Sequence, residues 1–145
     1  MVGGLAIPWD VAFTPDGTML LDQRASGISA RRSNGVVTLM TTPADFADLA
    51  VVVESGLLGL AVDPAFNTNG FIYTCQSHKS GTAAITDVRV IQWQVNSTYS
   101  DVDKAGPILT GIPANAGRHN GCRLLFDGGG LLYVATGDAA VGTYP

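Results

Sequence analysis

The chain has 145 residues, 14% of them charged and 46% hydrophobic, with a formal net charge of −4. Such a chain can bury a core, and it is neither a disordered tail nor, with 18 glycines in no three-residue period, collagen-like. Its 8 Lys and Arg form no basic run, which argues against a nucleic-acid partner, and no apolar stretch approaches the ~20 residues of a membrane-spanning helix. Met1-Val2-Gly3-Gly4 has neither the charged start nor the apolar run of a signal peptide.

The local pattern is that of strands. Residues Trp9 to Phe13 form a short apolar run that ends in Thr14-Pro15-Asp16-Gly17, a turn signal, and Thr18 to Gln23 reads as the return strand. Ile28 to Arg31 and Val36 to Leu39 follow, split by Ser33-Asn34-Gly35, and Asn-Gly is the strongest short hairpin signal. A helix is expected only near Pro43 to Val51. Gly56 to Val62 and Phe71 to Ser77 flank a polar turn, Asp63 to Gly70. Toward the end of Thr86 to Val95, residues Ile91, Trp93 and Val95 alternate with Gln92 and Gln94, the period of a half-buried strand. Cys122 to Phe126 and Leu131 to Thr136 flank Asp127-Gly128-Gly129-Gly130, which reads as a hairpin turn because no helix follows it.

These pieces repeat. The run Ala12-Phe13-Thr14-Pro15-Asp16-Gly17 followed by Met19-Leu20-Leu21 is echoed by Ala61-Val62-Asp63-Pro64 before Phe71-Ile72-Tyr73, and by Leu125-Phe126-Asp127-Gly128 before Leu131-Leu132-Tyr133-Val134. Each copy is strand, polar turn, strand. The pattern predicts an all-β fold built from propeller blades, each a four-stranded antiparallel sheet; a β-sandwich with coincidental turns is the competing reading. A propeller closes with ~4–8 blades, and this length holds about two to three. The expectation is therefore that residues 1–145, Met1 to Pro145, form the N-terminal portion of one β-propeller domain, truncated or completed by self-association of further copies.

Few residues suit chemistry. Of the two histidines, His78 lies in the polar segment Gln76-Ser77-His78-Lys79-Ser80-Gly81 and reads as a solvent-facing loop residue. His119 lies in Gly117-Arg118-His119-Asn120-Gly121-Cys122-Arg123-Leu124, where a loop enters a strand, and an imidazole there suits a general base near neutral pH. Glu54 and Asp138 also stand at strand ends; a carboxylate such as Asp138 can orient an imidazole by accepting its other N–H. Cys75 and Cys122 match no metal spacing, so they are either two buried thiols or one disulfide. No phosphate-cradling loop, nucleophilic serine elbow or paired histidines occur.

Four segments together carry a resemblance. Ile7-Pro8-Trp9-Asp10-Val11-Ala12-Phe13-Thr14-Pro15-Asp16-Gly17, Gly56-Leu57-Leu58-Gly59-Leu60-Ala61-Val62-Asp63-Pro64-Ala65-Phe66, His119-Asn120-Gly121-Cys122-Arg123-Leu124 and Tyr133-Val134-Ala135-Thr136-Gly137-Asp138 resemble, in this order, the glucose/sorbosone dehydrogenase family. These are soluble aldose dehydrogenases that use pyrroloquinoline quinone (PQQ). The resemblance implies a six-bladed propeller and the oxidation of aldose sugars to lactones by hydride transfer to the quinone. It gives His119 the role of general base, Asp138 that of its orienting partner, and Glu54, Arg118 and Arg123 places on the substrate side. Arg118 stands where an acid occurs in the glucose enzyme, which leaves the sugar open.

The resemblance also implies PQQ and Ca2+ as cofactors of the full-length family. Most contacts to them come from later blades, so the cofactor-binding residues are expected mostly beyond Pro145. The expectation is that neither cofactor is bound by this chain alone, and that the chain alone is inactive. The resemblance further implies a periplasmic or secreted location and an electron acceptor whose identity is open. The alternative is a propeller of the same shape that binds or scaffolds without redox chemistry.

Overall fold

The computed structural model describes residues 2–81 and 84–142. Pro145, beyond which most of the cofactor-binding residues are expected, lies outside the described residues. Ten strands make three antiparallel sheets among the described residues. The first holds β1 (Pro8–Phe13), β2 (Met19–Gln23), β3 (Gly27–Arg31) and β4 (Val37–Leu39) in sequential order. The second holds β5 (Leu57–Val62), β6 (Phe71–Lys79), β7 (Ile85–Val95) and β8 (Val102–Ile112), and the third pairs β9 (Gly121–Phe126) with β10 (Leu132–Thr136). The leading strand β5 packs beside both β1 and β9, so the sheets stack as successive propeller blades.

The two interfaces between blades are the two cores. Leu20, Ile28 and Met40 of the first blade meet Leu57, Leu60, Ile72, Ile91 and Trp93 of the second. Leu58, Ala61, Tyr73, Val88 and Val90 of the second meet Leu124 of the third. Strand β5 is thus buried on both faces, which is why its sequence is an unbroken apolar run. A register irregularity between Leu57 and Gly59 explains how Leu57 and Leu60 share one core while Leu58 and Ala61 share the other. Trp93 is fully buried, its indole N–H donating to Thr74 Oγ1 at 2.8 Å and its ring packed on Phe46.

Four readings need correction, the first being the polar turn Asp63 to Gly70, which contains one α-helical turn, α1 (Phe66–Asn69). The helix expected at Pro43 to Val51 is a single 3₁₀ turn, Pro43–Phe46, whose service is to bring Phe46 onto Trp93. Strand β8 was not expected. It is the outer edge of its sheet, mostly exposed, broken by Gly106, Pro107 and Gly111, and it slips register against β7 several times, so no alternation survives in its sequence. His78 is not a loop residue: β6 carries it into the sheet, where its side chain is 14% exposed and its Nδ1 lies 2.9 Å from Thr86 Oγ1 and 3.4 Å from Asp87.

Candidate functional site

Three loops meet where β5 and β9 begin and β10 ends. Their backbones are tied together. The His119 N–H donates to Glu54 Oε2 at 2.9 Å, and the Glu54 N–H donates to the Gly117 carbonyl at 3.1 Å. On the other side, the Ala139 N–H donates to the His119 carbonyl at 3.1 Å and the Gly137 N–H to the Asn120 carbonyl at 3.2 Å. The approach of the third loop is close enough that a Cβ on Gly137 would run into the His119 carbonyl, so this position requires glycine.

The backbone that presents these groups is held in an uncommon conformation. His119 has φ 51° and Val53 has φ 53°, a region that costs a non-glycine residue on the order of 1–3 kcal/mol. The surroundings overdetermine both. Beneath the loops, Ser55 is 0% and Asn120 3% exposed, and the Asn120 amide donates to the Ser55 hydroxyl. One guanidinium nitrogen of Arg24 donates to the Val53 carbonyl at 2.7 Å and to the Ser55 carbonyl at 3.0 Å.

Above this frame the His119 side chain is 59% exposed, with Nδ1 3.2 Å from Asp138 Oδ1. The Ala140 N–H, and behind it the hydrogen bond from His119, holds the Asp138 carboxyl below the usual carboxylate range. An ionised carboxylate can only accept, so Nδ1 carries the proton and Nε2 is left as the basic nitrogen of the ring. The structure therefore brings Glu54, His119 and Asp138 together.

It does not bring the two arginines into that group. Arg123 pairs with Asp10, whose other oxygen accepts the Leu60 N–H at 3.0 Å, so this carboxylate links β1, β5 and β9. Arg118 donates its backbone N–H to the Asn115 carbonyl at 3.1 Å, and its exposed side chain has no hydrogen-bond or ion-pair partner among the described residues. Cys75 and Cys122 are disulfide-bonded, with Cα atoms 6.1 Å apart, which sets aside the reading as free thiols and joins β6 to β9 close to His119.

Sequence reasoning missed Ser55, Asn120 and Arg24, which lie under the site, and the pair Asp10 and Asp22. Asp22 is fully buried on β2; its Oδ1 accepts the Asp10 N–H at 2.5 Å while Oδ2 has no partner among the described residues. Asp10 did leave a signal, a lone carboxylate inside the apolar run Trp9-Asp10-Val11-Ala12-Phe13, because a charge buried in a strand needs a partner. Among the described residues no group of three or more His, Cys, Asp and Glu side chains is arranged to hold a metal ion. Among them, too, no helix is long and apolar enough to cross a membrane.

Known proteins resemble this chain in sequence and fold. The quinoprotein glucose dehydrogenase B of Acinetobacter calcoaceticus is 27% identical over 145 residues, 95% of this chain and 30% of that protein. An uncharacterised protein of Synechocystis is 29% identical over 154 residues, 95% of this chain and 34% of that protein. Among solved structures, an oxidoreductase (glucose dehydrogenase) from Thermus thermophilus has a TM-score of 0.79 at 34% identity, covering 95% of this chain and 39% of that one. The PQQ-bound aldose sugar dehydrogenase of Streptomyces coelicolor has a TM-score of 0.75 at 25% identity, covering 94% of this chain and 40% of that one. The chain thus spans about a third of the length of the curated relatives it matches. The family description Glucose / Sorbosone dehydrogenase matches residues 5–143, and the chain belongs to that family.

Proposed function

We propose that this chain supplies the proton-accepting side of an aldose dehydrogenase that uses PQQ, with His119 as the general base. The observation that carries the reading is the contact of His119 Nδ1 with Asp138 Oδ1 at 3.2 Å on an otherwise exposed imidazole. Asp138 fixes the tautomer, so Nε2 takes the proton of a sugar's anomeric hydroxyl as the carbon–oxygen double bond of the lactone forms. The imidazolium produced is stabilised by the same carboxylate. A positioned base of this kind contributes about 10²–10⁴-fold in rate.

Glu54 reaches the same rim, and its carboxylate already accepts the His119 N–H at 2.9 Å. Its remaining lone pairs are suited to accept a sugar hydroxyl. Arg118, exposed beside His119, is suited to donate to sugar oxygens. Arg123 is better suited to holding the first three blades together through Asp10 than to touching substrate.

The bound quinone would supply the two-electron acceptor for the hydride lost from the anomeric carbon. The described residues do not form a cradle for it. PQQ is a tricarboxylate, whereas of the three arginines near the site Arg24 is engaged by the Val53 and Ser55 carbonyls and Arg123 by Asp10, and no metal-ligating cluster is present among the described residues. The Cys75–Cys122 disulfide supports a periplasmic or secreted setting, since such bonds persist in oxidising compartments.

The test is sugar-dependent dye reduction by the full-length protein supplied with PQQ. His119→Gln should abolish it with the circular dichroism spectrum unchanged, and Asp138→Asn should lower kcat more than it raises KM. Undiminished dye reduction by His119→Gln would remove the base from this reading.

A further inference from the structure

The His119 ring is more than half exposed, so side-chain packing does not decide where it stands. Its position is set by the backbone, and that backbone is in a conformation that an isolated loop would abandon. Glu54 is exposed, Asp138 is only partly buried, and both lie on loops themselves, so neither is a shielded anchor. The anchor must be a shielded contact between the lead-in of β5 and the lead-in of β9.

One contact has that character. Asn120, next to His119, and Ser55, next to Glu54, are both buried, and the amide of the first donates to the hydroxyl of the second. Each is also locked from outside the pair. The Ser55 N–H donates to the Val52 carbonyl at 2.8 Å and its carbonyl accepts from Arg24, while the Asn120 carbonyl accepts the Gly137 N–H. The second amide atom, Asn120 Oδ1, is buried without a partner among the described residues. A buried acceptor left unpaired is unfavourable, so an asparagine that served packing alone would be better replaced by an apolar residue.

We propose that Asn120 and Ser55 are a positioning pair: their buried hydrogen bond fixes the spacing of His119 and Glu54, the base and the substrate-side carboxylate. The assignment of those two roles rests on the proposed function, but the spacing itself does not. The pair explains why the residue after the histidine is polar although its environment is dry. It also explains why Arg24, far away in sequence, sends its guanidinium to the Val53 and Ser55 carbonyls.

The experiment uses Ser55→Ala, Asn120→Ala and the double variant of the whole chain, with two readouts by nuclear magnetic resonance. The first is amide hydrogen exchange of His119 against that of Leu124, a core residue of β9, the strand that His119 leads into. The second is the response of the His119 amide proton shift to the titration of Glu54, which its hydrogen bond to that carboxylate should transmit. Each single variant should speed His119 exchange at least tenfold, leave Leu124 within twofold, and remove the titration response. The double variant should be no worse than either single, because one bond is broken in all three.

Ser55→Ala removes only a hydroxyl, so it reports even if Asn120→Ala does not fold. Equal acceleration at His119 and Leu124, additive effects in the double variant, or a titration response that persists in Ser55→Ala would each overturn the pair's role. The readouts do not depend on sugar oxidation. Full-length protein whose dye reduction survives His119→Gln, together with these shifts in the chain, would refute the function and keep the pair.

Discussion

Asp22 should make this fold lose stability as the solution turns from acid to neutral. Its carboxyl is fully buried on β2, and burial pushes it up from 3.8 to about 7, with the neighbouring Asp10 carboxylate adding to the rise and the Asp10 N–H opposing it. Between those two values the folded chain keeps a proton that the unfolded chain releases, so stability falls with rising pH. At about 1.4 kcal/mol for each pH unit, the shift from 3.8 to about 7 corresponds to about 4 kcal/mol, of which about 3 kcal/mol lies between pH 5 and 8. The assay is urea unfolding of the parent and Asp22→Asn across that range. Asparagine keeps an acceptor for the Asp10 N–H and cannot ionise. Its buried amide adds a penalty that does not vary with pH, so the quantity to read is the slope of the difference between the two proteins. The variant should gain about 3 kcal/mol on the parent from pH 5 to pH 8 and level off above. A difference that stays flat across the range would refute the argument, because it would mean that Asp22 is ionised, or solvated, in the folded chain.

Two further outcomes follow from the contacts around β9. Replacing Cys75 and Cys122 by serine opens a loop with a sequence separation of 47, which by chain-entropy reasoning costs about 4 kcal/mol; the urea midpoint of the double-serine protein should fall accordingly, and a loss below about 1 kcal/mol would show that the disulfide constrains little in the unfolded chain. Gly137→Ala puts a methyl group into the His119 carbonyl, a backbone atom that cannot step aside cheaply. It should cost about 2–3 kcal/mol in thermal unfolding and shift the His119 and Asn120 amide resonances, whereas Gly128→Ala, which meets nothing, should do neither.

What could be read from the sequence was local. The Asp16-Gly17, Asn34-Gly35 and Asp127-Gly128 signals mark real hairpins, because turn chemistry is decided by the residues in the turn. The apolar run of β5 was legible because both faces of that strand are covered, and the alternation at the end of β7 because Ile91, Trp93 and Val95 are buried while Gln94 is exposed. Strand β8 was not, because an exposed edge strand with a proline and two glycines carries no pattern of burial to betray it. The misplacement of His78 has the same origin in reverse: its neighbours Ser77, Lys79 and Ser80 are polar, yet β7 supplies Thr86 and Asp87 as partners, so polarity in sequence became pairing in space.

The site divides along the same line. His119, Glu54 and Asp138 could be singled out because each is a chemically distinctive residue at the edge of a strand, and edges can be found from sequence. The residues that hold them could not. Asn120 bonds to Ser55 across a sequence separation of 65, and Arg123 to Asp10 across 113. Ser55 and Asn120 are ordinary loop residues by sequence, and Asp10, although out of place in an apolar run, does not reveal which residue it pairs with. In a stack of blades the leading strands are neighbours in space only after dozens of residues of hairpin have been completed, so every contact that fixes one lead-in against the next is necessarily long-range. The exposed reactive groups and the buried polar atoms that aim them therefore obey different rules. The first follow from where a strand ends, the second only from which strand lies beside it, and it is the second set whose loss would leave the blades folded and the histidine misplaced.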